Sequence, residues 1–104
     1  MSSTDEQRGW TFLTNHAQVL LCLAEMPDIR LRDVAHRVGI TERAAQRILA
    51  ELVEAGYVTA ARVGRRNRYT VDRAHAMRHS AQMGYEIGAL LEALAPNGPP
   101  ETTL

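Results

Sequence analysis

Two short amphipathic segments joined by a tight turn constrain the fold of this chain most. They lie in the stretch LRDVAHRVGITERAAQRILAELVEAGYV, residues 31–58. The apolar residues of the first segment recur with the period of a helix. Gly39 suits the left-handed conformation that ends a helix, and Thr41 is a good N-cap for the next one. We therefore predict helices over 31–38 and 42–55 that share one core as a helix-turn-helix.

A further helix is predicted before this unit. Thr14 can cap it, and it runs from Asn15 to about Met26, because Pro27 prevents its continuation. Ile29, between this helix and the next, is predicted to form a single short strand.

The segments after the helix-turn-helix have the pattern of a β-hairpin and a final helix. Residues 57–63 and 68–71 are predicted strands, and Gly64 and Asn67 bracket the turn because both tolerate positive φ. Ser80 is predicted to cap a last helix that ends at Leu94. The predicted fold class is thus mainly α, with a small β part (α+β).

Chain length and composition indicate one domain. With 104 residues, we expect a domain at 10–95 between a disordered tail at 1–9 and a flexible, Pro-rich tail at 96–104. Neither a run of about 18 apolar residues nor a signal peptide is present, so we expect no membrane segment. Cys22 is the only cysteine. It lies in an apolar stretch, which favours a buried residue and a reducing cytoplasm.

Positive charge is concentrated in the middle of the chain, although the formal net charge is zero. Residues 30–78 contain eleven Arg and five acidic residues, a net charge of +6, and the remainder carries −6. This asymmetry indicates an anionic partner for the middle segment. All twelve basic residues are Arg, which suits phosphates and guanine edges but is equally explained by GC-rich coding. GC-rich coding does not explain the clustering.

The order of elements resembles that of the winged helix-turn-helix regulators, most like the MarR and ArsR types of bacterial transcription factor. The resemblance rests on the GIT turn, the run ILAELVEAGYV and the basic stretch RVGRRNRYTV. It covers roughly residues 14–94. It implies a two-stranded hairpin that acts as the wing, and terminal helices that pair two chains across a two-fold axis.

The polar face of the helix at 42–55 is the predicted reading surface for double-stranded DNA. Arg43 and Arg47 share one face and suit guanine, and Gln46 suits adenine. Thr41 and the helix N-terminus suit a phosphate, and Glu42 suits either cytosine or repulsion of the backbone. The alternative is a solvated helix face with ordinary charges.

The hairpin tip is the predicted wing, over the neighbouring minor groove or phosphates. Its candidate contact residues are Arg62, Arg65, Arg66, Asn67 and Arg68. Arg30 and Arg32, at the start of the helix over 31–38, extend the patch, whereas Arg37 either joins it or pairs with Asp33. The alternative for the hairpin is a solvated edge protected by its charge.

Apolar residues near both ends are predicted to form a dimer interface. They are Trp10, Phe12, Leu13, Met83, Ile87, Leu90, Leu91 and Leu94. Gly84 and Gly88, four positions apart, would permit close approach of a partner helix. The alternative is that both groups complete the core of one chain.

Catalytic and metal sites are not expected. His75 and His79 have a spacing that can hold a metal on a helix, but they lack a thiol or acidic partner and are flanked by Arg73 and Arg78. The chain shows no nucleophile–base pair, phosphate loop or carboxylate dyad. We expect no cofactor and no enzyme activity, and the sequence names no small-molecule effector.

The function predicted from these features is that of a dimeric, sequence-specific DNA-binding regulator in the cytoplasm. Repression is favoured over activation, because a chain of this size offers little surface for recruiting polymerase. Two alternatives stay open: a winged-helix module that binds protein, and an architectural protein that binds DNA without sequence preference.

Overall fold

Three helices form where a capping residue or a glycine stop coincides with apolar periodicity. In the computed structural model, which describes residues 10–95, they are α1 (Asn15–Glu25), α2 (Leu31–Val38) and α3 (Glu42–Glu54). The hydroxyls of Thr14 and Thr41 accept hydrogen bonds from the amides of Ala17 and Ala44, at 3.1 and 3.0 Å. Both predicted N-caps are therefore confirmed. The predicted tails at 1–9 and 96–104 lie outside the described residues.

The turn between α2 and α3 has the conformation that glycine was expected to provide. Gly39 adopts φ +85°, and its amide and that of Ile40 both donate to the carbonyl of Ala35, at 2.8 and 3.0 Å. This closes α2 and brings Ile40 back against the core. The two helices are thereby held as a helix-turn-helix.

The hairpin has a shorter turn than predicted. Its strands are β1 (Val58–Val63) and β2 (Arg66–Val71), paired antiparallel with Val63 opposite Arg66. The turn is only Gly64 and Arg65, with Gly64 at φ +63°. Asn67 is not a turn residue, because it pairs with Arg62 within the ladder. Tyr69 of β2 is buried against the core.

The predicted strand at Ile29 was wrong. Ile29 is buried, but it belongs to no strand. The neighbouring carbonyl of Pro27 accepts one hydrogen bond from the amide of Tyr69, at 2.9 Å. That bond holds β2 against the connection between α1 and α2. A β-ladder does not extend from it, because the chain enters α2 at Leu31.

The last helix is half as long as predicted. α4 spans Ile87–Leu94, and Ser80 begins a short 3-10 turn instead of capping it. The amides of Ile87 and Gly88 donate to the carbonyls of His75 and Arg73, each at 2.8 Å. The residues just before α4 thus pair with the connector after β2. Because their backbone is used in this pairing, it does not continue the helix towards Ser80.

One core joins all these elements. No polar or charged residue among those described is buried. Ile87 and Leu91 of α4 belong to this core, with exposed fractions of 9% and 0%. These two predicted interface residues therefore complete the core of one chain. A Cβ at Gly88 would lie 2.8 Å from the carbonyl oxygen of Arg73, so Gly88 accommodates the connector of its own chain.

No helix within residues 10–95 has the length and apolar content that crossing a membrane requires.

Candidate nucleic-acid interface

The first two turns of α3 carry an exposed polar face. Burial of Ala45, Ile48 and Leu52 fixes the rotation of the helix, so that residues 43, 46, 47 and 50 point the other way. Arg43, Gln46 and Arg47 are accordingly exposed. With its capped N-terminus and three side chains able to read base edges, this face has the chemistry of a recognition helix.

Glu51 links this face to α1. Its carboxylate is 2.6 Å from His16 Nε2 and 3.7 Å from the guanidinium of Arg47. The hydrogen bond from His16, and to a smaller extent the charge of Arg47, lowers the pKa of the Glu51 carboxyl below its ordinary value. Glu51 and His16 were not among the predicted site residues. The i,i+4 spacing of Arg47 and Glu51 could have revealed one contact, but His16 is 35 residues away.

The ladder divides the basic residues of the hairpin between two faces. Arg66 and Arg68 share one face, because they alternate along β2, whereas Arg62 and Asn67 lie opposite each other on the face that also carries Tyr69. Arg65 occupies the turn itself. All four arginines and Asn67 are exposed, as a wing requires.

Two of these arginines contact Asp28. The guanidinium of Arg66 donates to the backbone carbonyl of Asp28 at 2.5 Å, and that of Arg68 lies 3.8 Å from the Asp28 carboxylate. Across the described residues, Arg62 and Arg65 have neither an ion pair nor a side-chain hydrogen bond. No sequence signal indicated Asp28, because it is 38 residues from Arg66.

The start of α2 adds exposed charge beside this contact. Arg30 occupies the N-cap position without a side-chain capping bond, and Arg32 is exposed in the first turn. Arg37 instead contacts Glu25 of α1, at 3.3 Å. Of the two alternatives left open for Arg37, the pairing with Asp33 is therefore not the one formed, because packing of α2 against α1 brings a nearer acid.

A second, largely apolar surface lies near the start of α1 and the end of α3. Trp10 and Phe12 stack edge to face with centroids 5.0 Å apart, and both are largely exposed. Beside α1 lies an open groove of about 860 Å³, with Leu20, Leu52 and Leu90 in its lining. The start and end of a helix the length of α3 are roughly 18 Å apart. The groove therefore lies by the last turns of α3, where Glu51 in its lining adjoins Arg47 of the polar face.

His75 and His79 each contact other groups of the chain, and the expectation that neither has an acidic neighbour was wrong, because Asp72 Oδ2 lies 4.0 Å from His75 Nδ1. His75 Nε2 lies 3.0 Å from the carbonyl of Ala55, and its ring contacts Tyr57 edge to face at 4.3 Å. His79 accepts a hydrogen bond from the amide of Ala81. Within residues 10–95 no group of three or more His, Cys, Asp or Glu could hold a metal ion.

Cys22 is a core residue, as predicted. It is buried, and this burial raises the pKa of its thiol. A desolvated thiol of this kind is a poor nucleophile.

Comparison with known proteins agrees with the geometry of α2, α3 and β1. Residues 13–62 match the model of the IclR helix-turn-helix domain. No curated protein matches the chain. The match does not confirm the closer resemblance to the MarR and ArsR types. Regulators with such a domain are generally not enzymes. Residues 13–62 are thus similar to an IclR-type helix-turn-helix DNA-binding domain, which supports a winged helix-turn-helix transcription regulator.

Proposed function

We propose that this protein is a homodimeric regulator that binds one DNA sequence through α3 and flanking DNA through the hairpin. The observation that carries the proposal is the face of Arg43, Gln46 and Arg47, exposed on the first two turns of an N-capped helix. A helix fits the major groove, and its N-terminal residues approach the base edges. Thr41 adjoins the same groove next to a phosphate. Glu42 adjoins it next to a base or a backbone group.

The hairpin contributes affinity in this proposal. Arg62 and Arg65 project from the end of the hairpin and are free to meet phosphates or the minor groove. Arg30 and Arg32 hold the backbone beside the groove that α3 occupies. These contacts release counterions and position the domain, whereas the base contacts of α3 select the sequence.

Loss of the two free wing arginines should lower the salt dependence of DNA binding. We expect Arg62→Ala/Arg65→Ala to decrease the log–log slope of affinity against salt by about two, since each neutralised phosphate contributes about 0.9. Fluorescence anisotropy with a labelled duplex over a salt series measures this slope. Arg78→Ala is the control, because Arg78 is also exposed but lines the groove beside α1. Its slope should equal that of the wild type.

The same titrations separate the proposed function from its alternatives. A selected duplex should outcompete random DNA by about a thousandfold or more if the protein is a specific regulator. Equal affinity for both would instead indicate an architectural protein. If the protein does not bind DNA at low salt, the proposal is overturned, and the wing would be expected to contact a protein partner instead.

Dimerisation is proposed to use the apolar surface near the chain ends. Trp10 and Phe12 are 75% and 90% exposed, and Met83 and Leu94 are about half exposed. Exposed apolar groups of this size commonly mark an interface. Leu13 and Leu90 are half-buried. A two-fold axis here would present two copies of α3 to successive major grooves about 34 Å apart.

Removal of the aromatic pair should weaken the dimer. We expect Trp10→Ser/Phe12→Ser to be monomeric at concentrations where the wild type is dimeric, as measured by sedimentation equilibrium. Thr11→Ala, between the two aromatic residues and itself exposed, serves as the control and should remain dimeric. A wild type that is monomeric at all concentrations would refute this part of the proposal.

The biological role follows from these contacts. A dimer that covers two grooves would block polymerase, so we propose that the protein represses transcription. We propose further that it acts in the cytoplasm, where it would reach the DNA. The proposal includes neither catalysis nor a cofactor, and it leaves the effector unspecified.

A further inference from the structure

The wing arginines are unequally available to DNA. Arg62 and Arg65 have no partner among the described side chains, but Arg66 and Arg68 both turn towards Asp28. Asp28 lies immediately before Ile29, which is buried, and after Pro27, whose carbonyl binds the amide of Tyr69. The backbone around Asp28 is thus fixed to the core and to β2. Its carboxylate is therefore held within reach of Arg68.

We propose that Asp28 is a positioning residue that withholds Arg68 from DNA and so limits the affinity of the wing. The inference rests on the proposed function, since it concerns the same DNA surface. The Asp28 carboxylate lies 3.8 Å from the guanidinium of Arg68, where it neutralises a charge that a phosphate would otherwise meet. While this ion pair persists in the complex, Arg68 adds no phosphate contact.

The two contacts at Asp28 have different consequences. Arg66 binds the backbone carbonyl, which every substitution at position 28 retains, so this bond keeps the hairpin against the turn. Arg68 meets the carboxylate, at 3.8 Å and with both side chains more than half exposed. An exposed ion pair of this kind is weak, so the affinity that it withholds is small. Asp28 therefore reduces affinity without preventing binding.

Restraint of Arg68 lowers the affinity for bulk DNA and for the specific site alike. Non-specific binding depends almost wholly on phosphate contacts, whereas specific binding adds base contacts from α3. A carboxylate that competes for one wing arginine costs both modes the same contact. It thereby lowers occupancy of random DNA while base contacts still hold the protein at its own site.

Asp28→Asn tests this role without changing the shape of the side chain. We expect its affinity for a random duplex to rise about twofold to fivefold, the range of an exposed ion pair. Its log–log salt slope should steepen by about 0.9, as one more phosphate is neutralised. Asp33→Asn is the matched control, because it removes the same charge from an exposed residue five positions away. Circular dichroism verifies that each variant is folded.

A double-mutant cycle identifies the arginine through which Asp28 acts. In an Arg68→Ala background, Asp28→Asn should leave the salt slope unchanged. A steeper slope in that background, or an equal steepening by Asp33→Asn, would show a general effect of charge and overturn the inference. An unchanged or weaker affinity of Asp28→Asn would also overturn it. In each case the wild type still binds DNA, so failure of the inference is distinct from failure of the proposed function.

Discussion

Replacement of Arg43 and Arg47 by alanine is expected to abolish discrimination between the specific site and random DNA. Each bidentate contact of an arginine with guanine contributes about 1–3 kcal/mol. Loss of both should therefore reduce specific affinity by roughly 30-fold to 10⁴-fold. Both side chains lie on the exposed face of α3, away from the core, so the fold should persist. The specific duplex is first selected from a random library with the wild-type protein, and anisotropy then measures both affinities.

Lysine provides the matched control for these two positions. Arg43→Lys/Arg47→Lys keeps the charge but loses the planar fork that pairs with a guanine edge. It should retain the wild-type affinity for random DNA and still lose most of the discrimination. If the alanine variant discriminates as well as the wild type, α3 does not read the sequence and the assignment of the recognition helix is wrong.

Leu91→Ala is expected to destabilise the isolated chain by about 2–5 kcal/mol, the usual cost of removing a buried leucine side chain. Leu91 is completely buried among residues of its own chain, although α4 lies near the C-terminal end of the described region. For a domain of this size, the loss corresponds to a decrease in Tm of at least about 8 °C. Urea unfolding and calorimetry measure the two quantities.

Leu94→Ala distinguishes a core helix from a dimer helix. Leu94 is one turn further along α4 and 47% exposed, so its removal should cost the monomer little. Any loss of stability should then depend on protein concentration, because a dimer interface contributes by mass action. Equal destabilisation by the two substitutions at every concentration would contradict the assignment of Leu91 to the core of one chain.

Local signals were sufficient for the helix-turn-helix. The hydroxyls of Thr14 and Thr41 cap α1 and α3 within three residues of their partners. Gly39 likewise ends α2 through bonds to a carbonyl four residues away. Because capping, stop signals and apolar periodicity act within one or two turns of chain, they were readable without any tertiary information.

Signals failed where a distant part of the chain competes with a local preference. Ser80 has the chemistry of an N-cap, yet α4 begins only at Ile87, where the amides bind carbonyls of the connector after β2. Asn67 tolerates a turn, but the two-residue turn at Gly64 places it in the ladder opposite Arg62. In both places, the residues that pair with the segment could not be identified from the sequence alone.

The candidate DNA surface shows the same division. Residue identity and the helical period were enough to show which residues carry positive charge and which face of α3 is polar. How freely those charges can act depends on the packing of the chain. Arg66 and Arg68 contact Asp28, and Arg47 shares Glu51 with His16. The physical reason is that competition for a guanidinium depends on distances of a few ångströms between residues up to 40 positions apart, which only the packed chain sets.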